Sequence, residues 1–313
     1  MKYGLLIDFG APHCNFGDYV QSVAIEYLYD LMGIPYNEIV KITQSELATY
    51  DGEQLLLPYN YVLHFLVNPK DGGALLSDKI TPVFFGASVE FATLFDAFPL
   101  SNFTAPGNKW LELFRQTAPI GCRDAFTCDF LNKIGISSYL QGCITNILPR
   151  RQSGEYGKVL LIDCPNEVLP HIPDDILSIA EAMSNAEHIG DLTVEENYQK
   201  IKRRYDYYRD NAALIVTARY HVATPCNAMG IPTIFVKRPY DKHVKDIRLD
   251  TLNPGISLYT GETLDAIDWK PQYCDFNEYK TALMRLAMAR IDETRERFTQ
   301  GAKIRHLFAA GRK

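Results

Sequence analysis

The sequence predicts an α/β protein built on parallel strands, and three observations carry that prediction. Short apolar runs suited to buried strands alternate with stretches of helical periodicity. Several of the runs stop abruptly at a glycine or a charged residue, as strands do at the ligand-bearing edge of an open sheet. At 313 residues the chain also exceeds what a single core usually holds, so two domains are expected.

Taken in order, Tyr3–Ile7 predicts the first strand, and the loop Asp8–Asp18 follows with Gly10, Pro12, Asn15 and Gly17. Val20, Val23, Ala24, Tyr27, Leu28 and Leu31 then recur at three- and four-residue steps, one face of a helix that Gly33 stops. Asp18 falls in or just before the first turn, where a carboxylate complements the helix dipole. Strand, glycine-bearing loop and helix can hold an anion on backbone amides. The competing reading is that Asn15 merely caps the helix and Gly17 merely allows the turn. Asn15-Phe16-Gly17-Asp18 is not a dinucleotide fingerprint.

Ile34–Ile42, Gln54–Leu57 and Pro82–Ala87 read as further strands, and the aromatic stretch Pro58–Asn68 stays unassigned. Trp110–Gln116 predicts a short helix. Ile120-Gly121-Cys122 leads to Arg123-Asp124 and a helix facing inward through Thr127, Phe130, Leu131 and Ile134. Arg123 therefore ends a strand and Asp124 starts a helix; a capping aspartate beside a surface arginine is the plainer alternative. Gln141–Asn146, which includes Thr145, reads as a small polar loop that either touches a ligand or simply turns.

Pro149–Gly157 is polar and holds proline and glycine, so it is the best linker. It divides the chain into residues 1–150 and 157–276, with a last helix over about 277–309 that can pack back on the first unit. Within the second unit, Lys158–Cys164 predicts a strand, Asp174–Ala186 a helix, and Val194–Asp210 a helix lined by Tyr198, Ile201, Tyr205 and Tyr208. Lys200, Arg203 and Arg204 read as its wet face. Lys303, Arg305, Arg312 and Lys313 form a weakly basic tail.

The stretch on which the second unit turns is Leu214–His221. An apolar run ends at Arg219 and His221, and after Gly230-Ile231-Pro232 a second run, Thr233–Val236, ends at Lys237. Arg219, His221 and Lys237 should share one sheet edge. An arginine offers a rigid donor fork for phosphate or carboxylate, and a histidine moves protons near neutral pH. A core histidine with a satisfied hydrogen bond is the alternative for His221.

Composition narrows the function. The chain is 47% hydrophobic and 22% charged, which is ordinary for a soluble globular protein. A net charge of −6 argues against a general nucleic-acid binder, so an anionic ligand needs a local cationic pocket. The seven cysteines form no CxxC pair and no zinc-like spacing, which reads as reduced thiols in a cytoplasmic protein. The first apolar run is too short for a signal peptide, and no run approaches the roughly 18 residues of a membrane span.

Three motifs in this order resemble the polysaccharide pyruvyl transferase family. They are Asn15-Phe16-Gly17-Asp18, Arg123-Asp124 followed by a helix and Gly135-Ile136, and Thr217-Ala218-Arg219-Tyr220-His221 with Gly230-Ile231-Pro232. The last combination is the most specific. The resemblance implies two Rossmann-like lobes facing across a cleft, as in GT-B glycosyltransferases. It implies transfer of pyruvate from phosphoenolpyruvate onto two hydroxyls of a sugar in a polysaccharide or its precursor, giving a ketal and phosphate. Arg123 and Arg219 would then clamp the donor from both lobes. Lys237, Asn15 and the amides near Gly17 would receive its phosphate, and His221 with Asp18 would handle protons. Asp124 and Thr145 are further candidates for the site.

The resemblance calls for no cofactor beyond the donor substrate and no metal. It implies a sugar or glycan-precursor acceptor and a role in exopolysaccharide or cell-wall glycan synthesis. It leaves peripheral membrane contact and oligomeric state open. Where members carry a glycine-rich turn after a first-lobe strand, this chain has Pro58-Tyr59-Asn60. A GT-B glycosyltransferase using a nucleotide sugar and a non-enzymatic two-lobe anion-binding protein are the alternatives.

Overall fold

The computed structural model describes residues 1–8, 13–63, 76–89, 109–188, 192–238 and 251–310. Among the described residues the chain is a mixed α/β structure whose two larger sheets are parallel. Its first half runs β1 (Lys2–Asp8), β2 (His13–Asn15), α1 (Phe16–Leu31), β3 (Ile39–Thr43), β4 (Leu55–Tyr59) and β5 (Ile80–Phe84). It continues through α2 (Lys109–Thr117), β6 (Ile120–Cys122), α3 (Ala125–Lys133) and β7 (Ser138–Leu140). The first sheet has strand order β3-β1-β4-β5, all parallel. A bridge between Ala87 and Cys122 ties the parallel pair β6–β7 to the segment just past β5.

The second half runs β8 (Lys158–Ile162), α4 (Asp174–Leu177), β9 (Ala180–Met183), β10 (Ala186–His188), α5 (Val194–Asn211), β11 (Ala212–Thr217), α6 (Tyr220–Ala228), β12 (Thr233–Val236) and β13 (Ser257–Tyr259). Its sheet has order β13-β12-β11-β8-β9, again all parallel. β2 and β10 pair antiparallel, a ribbon made from one strand of each half. The last helix, α7 (Asn277–Ala310), packs on β4 and β5. Arg290 on α7 donates to the carbonyls of Thr117 and Pro119 there.

Among the described residues, buried apolar side chains form three layers. One cluster lies between the sheets and joins them: Leu5, Ile7 and Val83 from the first, Leu160, Ile162 and Ile215 from the second, with α1, α5, α6 and α7 contributing. A second covers the other side of the first sheet with α2 and α3, and a third covers the other side of the second sheet. Helix α1 sits in the middle layer. It buries Phe16, Gly17, Gln21, Ser22 and Tyr29 as well as its apolar stripe, because β1 packs on one side of it and α5 and α6 on another.

Several expectations need correction. The helix expected over Asp174–Ala186 is one turn, Asp174–Leu177, followed by two strands. Ala, Glu and Met favour a helix there, but the open edge of β8 requires partners, and Val159↔Ala180 through Ile162↔Met183 supply them. The strand expected from Ile34 begins at Ile39, because Pro35 leads a 3-10 turn over Tyr36–Glu38. The strand expected over Pro82–Ala87 is Ile80–Phe84. The polar loop Gln141–Asn146 instead enters a buried 3-10 helix, Ile144–Ile147.

The supposed wet face of α5 is mixed. Arg203 is exposed, but Lys200 and Arg204 both pair with Glu187. The segment 149–157 has no regular structure and is tied to the second half, with Arg151 bonded to the Met229 carbonyl. Residues 64–68 of the unassigned aromatic stretch lie outside the described residues, as do Arg312, Lys313 and the side chains of Lys303 and Arg305. The six cysteines whose side chains are described are all free thiols.

Candidate active site

The parallel register brings three strand ends to one edge. Thr217 aligns with Ile162 on one side and Phe235 on the other, so the next residues of β8, β11 and β12 emerge together. These are Asp163, Ala218-Arg219 and Lys237-Arg238. A pocket of about 230 Å³ opens here. Its polar wall is Asn15, Asn185, Arg219, His221, Lys237 and Arg238, completed by Gly17, Ala218, Tyr220 and Phe235. Three of these side chains are cations and none is a carboxylate. The pocket also meets the first turn of α6, whose positive end favours negative charge.

Arg219 is held by Asp163. Its Nε donates to Asp163 Oδ2 at 2.9 Å, with the arginine side chain 36% exposed and the aspartate 14%. Such a partly exposed pair contributes on the order of 1 kcal/mol or less, so its value is orientation. Asp163 is itself fixed: Ser184 Oγ and the Asn185 amide both donate to its carboxylate, and its φ is +45°. A non-glycine residue in that region costs on the order of 1 kcal/mol or more, and such outliers cluster at functional sites. Arg238 donates to the Asp163 carbonyl from its other side.

His221 lies in the first turn of α6 and is 8% exposed. Tyr205 donates to its backbone carbonyl at 2.6 Å. Gly17 of α1 packs against it so closely that a Cβ built there would fall 2.8 Å from His221 Cβ and 3.4 Å from its Nδ1. Asn15 caps α1 by accepting from the Gly17 amide, so the capping role and a place on the pocket wall coexist.

Arg123 does not line the pocket. It stands behind His221, 3% exposed, with Nη1 3.2 Å from His221 Nε2 and 3.3 Å from Gln21 Oε1. Among the described residues it pairs with no carboxylate, and its Nε is buried without a partner. A buried cation in that condition is costly unless an anion meets it at some stage. Of the two arginines of the expected clamp, Arg219 lines the pocket beside His221, and Arg123 touches the His221 ring without lining it.

Two expected candidates are placed in structural work. Asp124 is fully buried and caps α3: one carboxylate oxygen accepts from the Thr127 amide at 2.8 Å and the other from Ser88 at 2.9 Å. Thr145 is fully buried and shares a hydroxyl contact of 3.3 Å with Thr224 of α6. Asp18 lies in the first turn of α1, half-buried beside Gly17.

Sequence reasoning missed Gln21, Asn60, Asp163, Asn185 and Arg238. Asp163 and Arg238 were within reach of the strand-end rule that picked out Arg219. Gln21 carried one signal, a polar residue one turn beyond Gly17 on the helix's inner side. Asn60 lies in the stretch left unassigned, and Asn185 lay inside a helix that is not there.

Among the described residues no cluster of histidine, cysteine and carboxylate could hold a metal, and no helix is long and apolar enough to cross a membrane.

Comparison with known proteins adds the following. Residues 15–239 match the family described as polysaccharide pyruvyl transferase, a span that contains all three motifs and every polar residue of the pocket wall. No curated protein matches the chain. Among solved structures, it is similar to a functionally uncharacterized protein from Klebsiella pneumoniae. That likeness has 12% identity and a TM-score of 0.43, covering 80% of this chain and 87% of the other. It is also similar to a structure of accessory secretory proteins 1, 2 and 3 from Streptococcus pneumoniae. There the identity is 13% and the TM-score 0.32, covering 96% of this chain and 58% of the other.

Proposed function

We propose a pyruvyl transfer reaction at this pocket, and the premise is membership: the chain belongs to the polysaccharide pyruvyl transferase family. Membership implies a transferase acting in polysaccharide biosynthesis on a sugar acceptor. The finer reading is that phosphoenolpyruvate is the donor and that its pyruvyl group becomes a ketal on two sugar hydroxyls. The observation that carries it is the lining of the pocket, Arg219, Lys237 and Arg238 around His221 with no carboxylate among the described lining residues.

The donor carries a phosphate and a carboxylate, and desolvating both requires fixed cations. Arg219, pinned through Nε by Asp163, keeps its two terminal nitrogens for an anion. Lys237 and Arg238 take the phosphate as it leaves. Arg123 reaches the donor from behind His221. The two Rossmann-like lobes, residues 1–150 and 157–276, meet at this pocket, and the acceptor enters between them.

The reaction balances as follows. The methylene carbon of the donor gains one proton, and the carbon bearing the phosphate forms two bonds to acceptor oxygens while its bond to phosphate oxygen breaks. The two hydroxyls lose two protons. One replaces the proton given to the methylene, and the other leaves with phosphate. His221 is the group that carries a hydroxyl proton to the methylene, a role that typically contributes about 10²- to 10⁴-fold in rate. Asp18, beside Gly17, assists as base.

The test is incubation with phosphoenolpyruvate and a panel of hexoses, nucleotide sugars and polyprenyl-linked sugars, following phosphate release and product mass. The expected product has gained a pyruvyl ketal. No binding of phosphoenolpyruvate, together with no product on any acceptor, overturns the reading.

A further inference from the structure

Arg123 and His221 meet at a contact whose polarity is fixed by chemistry. A guanidinium only donates, so Arg123 Nη1 at 3.2 Å from His221 Nε2 is a hydrogen bond only when Nε2 carries no proton. The neutral ring then keeps its proton on Nδ1. A doubly protonated ring would turn an N–H toward an N–H and set two cations in contact.

What keeps Arg123 there is a buried amide relay. Gln21 Oε1 accepts from Arg123 Nη1 at 3.3 Å and from Asn60 Nδ2 at 3.1 Å. The same side chain donates from Nε2 to the carbonyls of Gly17 and Asp18, which fixes which end of its amide is oxygen. Gln21 and Asn60 are 1% and 0% exposed. The three first-half members come from different places, Gln21 from α1, Asn60 just past β4 and Arg123 just past β6, and they converge on a second-half helix.

We propose that Gln21 and Asn60 are positioning residues that hold Arg123 on His221 and so fix His221 as the neutral Nδ1–H tautomer in the free protein. The catalytic meaning of this rests on the pyruvyl-transfer reading above. With its lone pair engaged by Arg123, His221 can take no hydroxyl proton. An anionic donor competes with His221 for the same guanidinium, and Arg123 has no carboxylate among the described residues to oppose its leaving. The base is therefore masked until the donor draws Arg123 away. A carboxylate in place of the Gln21 amide or the Asn60 amide would anchor Arg123 permanently, which gives an uncharged relay its purpose.

The experiment is nitrogen NMR of the imidazole rings at neutral pH in uniformly ¹⁵N-labelled full-length protein with no donor present. Comparison with His221→Gln assigns the ring. The expected wild-type spectrum has a protonated Nδ1 and an unprotonated Nε2. Gln21→Met, which removes the acceptor at similar volume, should convert this to a mixture of tautomers; Gln21→Glu, which restores an oxygen, should recover the Nδ1–H form. Asn60→Leu should move the ring in the same direction as Gln21→Met, by less. A wild-type ring that is Nε2–H or doubly protonated overturns the proposal, as do unchanged spectra in both Gln21→Met and Asn60→Leu. If Gln21→Met does not fold, the wild-type and Asn60→Leu spectra decide. No donor is used, so a protein that shows the Nδ1–H form and transfers no pyruvate sinks the function while this assignment stands.

Discussion

Arg123 Nη1 lies 3.2 Å from His221 Nε2, across 98 residues of chain and between the two halves of the molecule. The arginine is 3% exposed and has no carboxylate partner among the described residues. Removing it therefore strands no buried anion among those residues, unlike the usual broken pair. Arg123→Met should lose at least about 100-fold in turnover, within the range for a lost charge-stabilising donor. Its thermal midpoint should stay level or rise. Phosphate release and a thermal melt read the two effects separately, and a sharply lowered midpoint would mark Arg123 as structural.

Gly17→Ala tests the closeness of α1 to the site. The new Cβ would sit 2.8 Å from His221 Cβ, which is attached to backbone and cannot swing away. Overpacking of this kind costs about 1–3 kcal/mol. The variant should fold with a lowered midpoint and turn over at least tenfold more slowly, because α6 must shift and carry His221 with it. Unchanged kinetics would show that the contact does not position the ring.

Asp163→Asn separates charge from backbone. Asparagine tolerates a φ of +45° nearly as well as aspartate, so the turn survives while the ionic hold on Arg219 is lost. Donor KM should rise about tenfold, equivalent to about 1.4 kcal/mol, with little change in kcat. A fall in kcat at constant KM would assign Asp163 to the chemical step instead.

Asp124 should behave as a cap and not as a base. Both its oxygens are engaged, by the Thr127 amide and by Ser88. Asp124→Ala should cost about 1–2 kcal/mol or more, the usual loss for an N-cap with a buried partner left behind. Turnover per folded molecule should hold within a few-fold. A complete loss of turnover at unchanged stability would return Asp124 to the catalytic group.

Lys280 offers a pH signature away from the pocket. Burial, with help from the nearby Arg150 charge, pushes its ammonium down to about 8 from 10.5. The folded protein thus releases this proton at a lower pH than the unfolded chain, so the unfolded chain binds more protons between those values. Stability must rise with pH across that window and show no such slope below it. Lys280 also donates to the carbonyls of Leu148 and Ala228, so Lys280→Met should be less stable overall. The comparison that matters is slope. Denaturant melts from pH 7 to 10 should show wild-type stability gaining up to a few kcal/mol relative to the variant. A constant difference between the two proteins would contradict the burial effect.

Much of the fold was legible because it rests on local patterns. The runs Tyr3–Ile7 and Leu214–Thr217 are too apolar to lie anywhere but inside a parallel sheet, and they do so; the run from Lys158 does so as far as Ile162, where Asp163 turns out of the sheet at a φ of +45°. Asn15, Gly33 and Gly135 marked helix ends by their own chemistry. Ala180–Met183 was not legible. Its residues favour a helix, and only the unpaired edge of β8 makes it a strand.

The sequence alone determined which residues end strands, and in an open parallel sheet that is enough to name Arg219, His221 and Lys237 as neighbours. Strand register is a local consequence of apolar pattern, so the edge could be read without coordinates. The tertiary structure alone decided what each charge is for. Asp124 became a cap because Ser88 and Thr127 reach it, Arg219 acquired Asp163 across two parallel strands, and Arg123 was placed behind His221 by Gln21 and Asn60. Each of these is a contact between distant parts of the chain. Their geometry depends on how two sheets close over one shared apolar layer, and no stretch of sequence holds that information by itself.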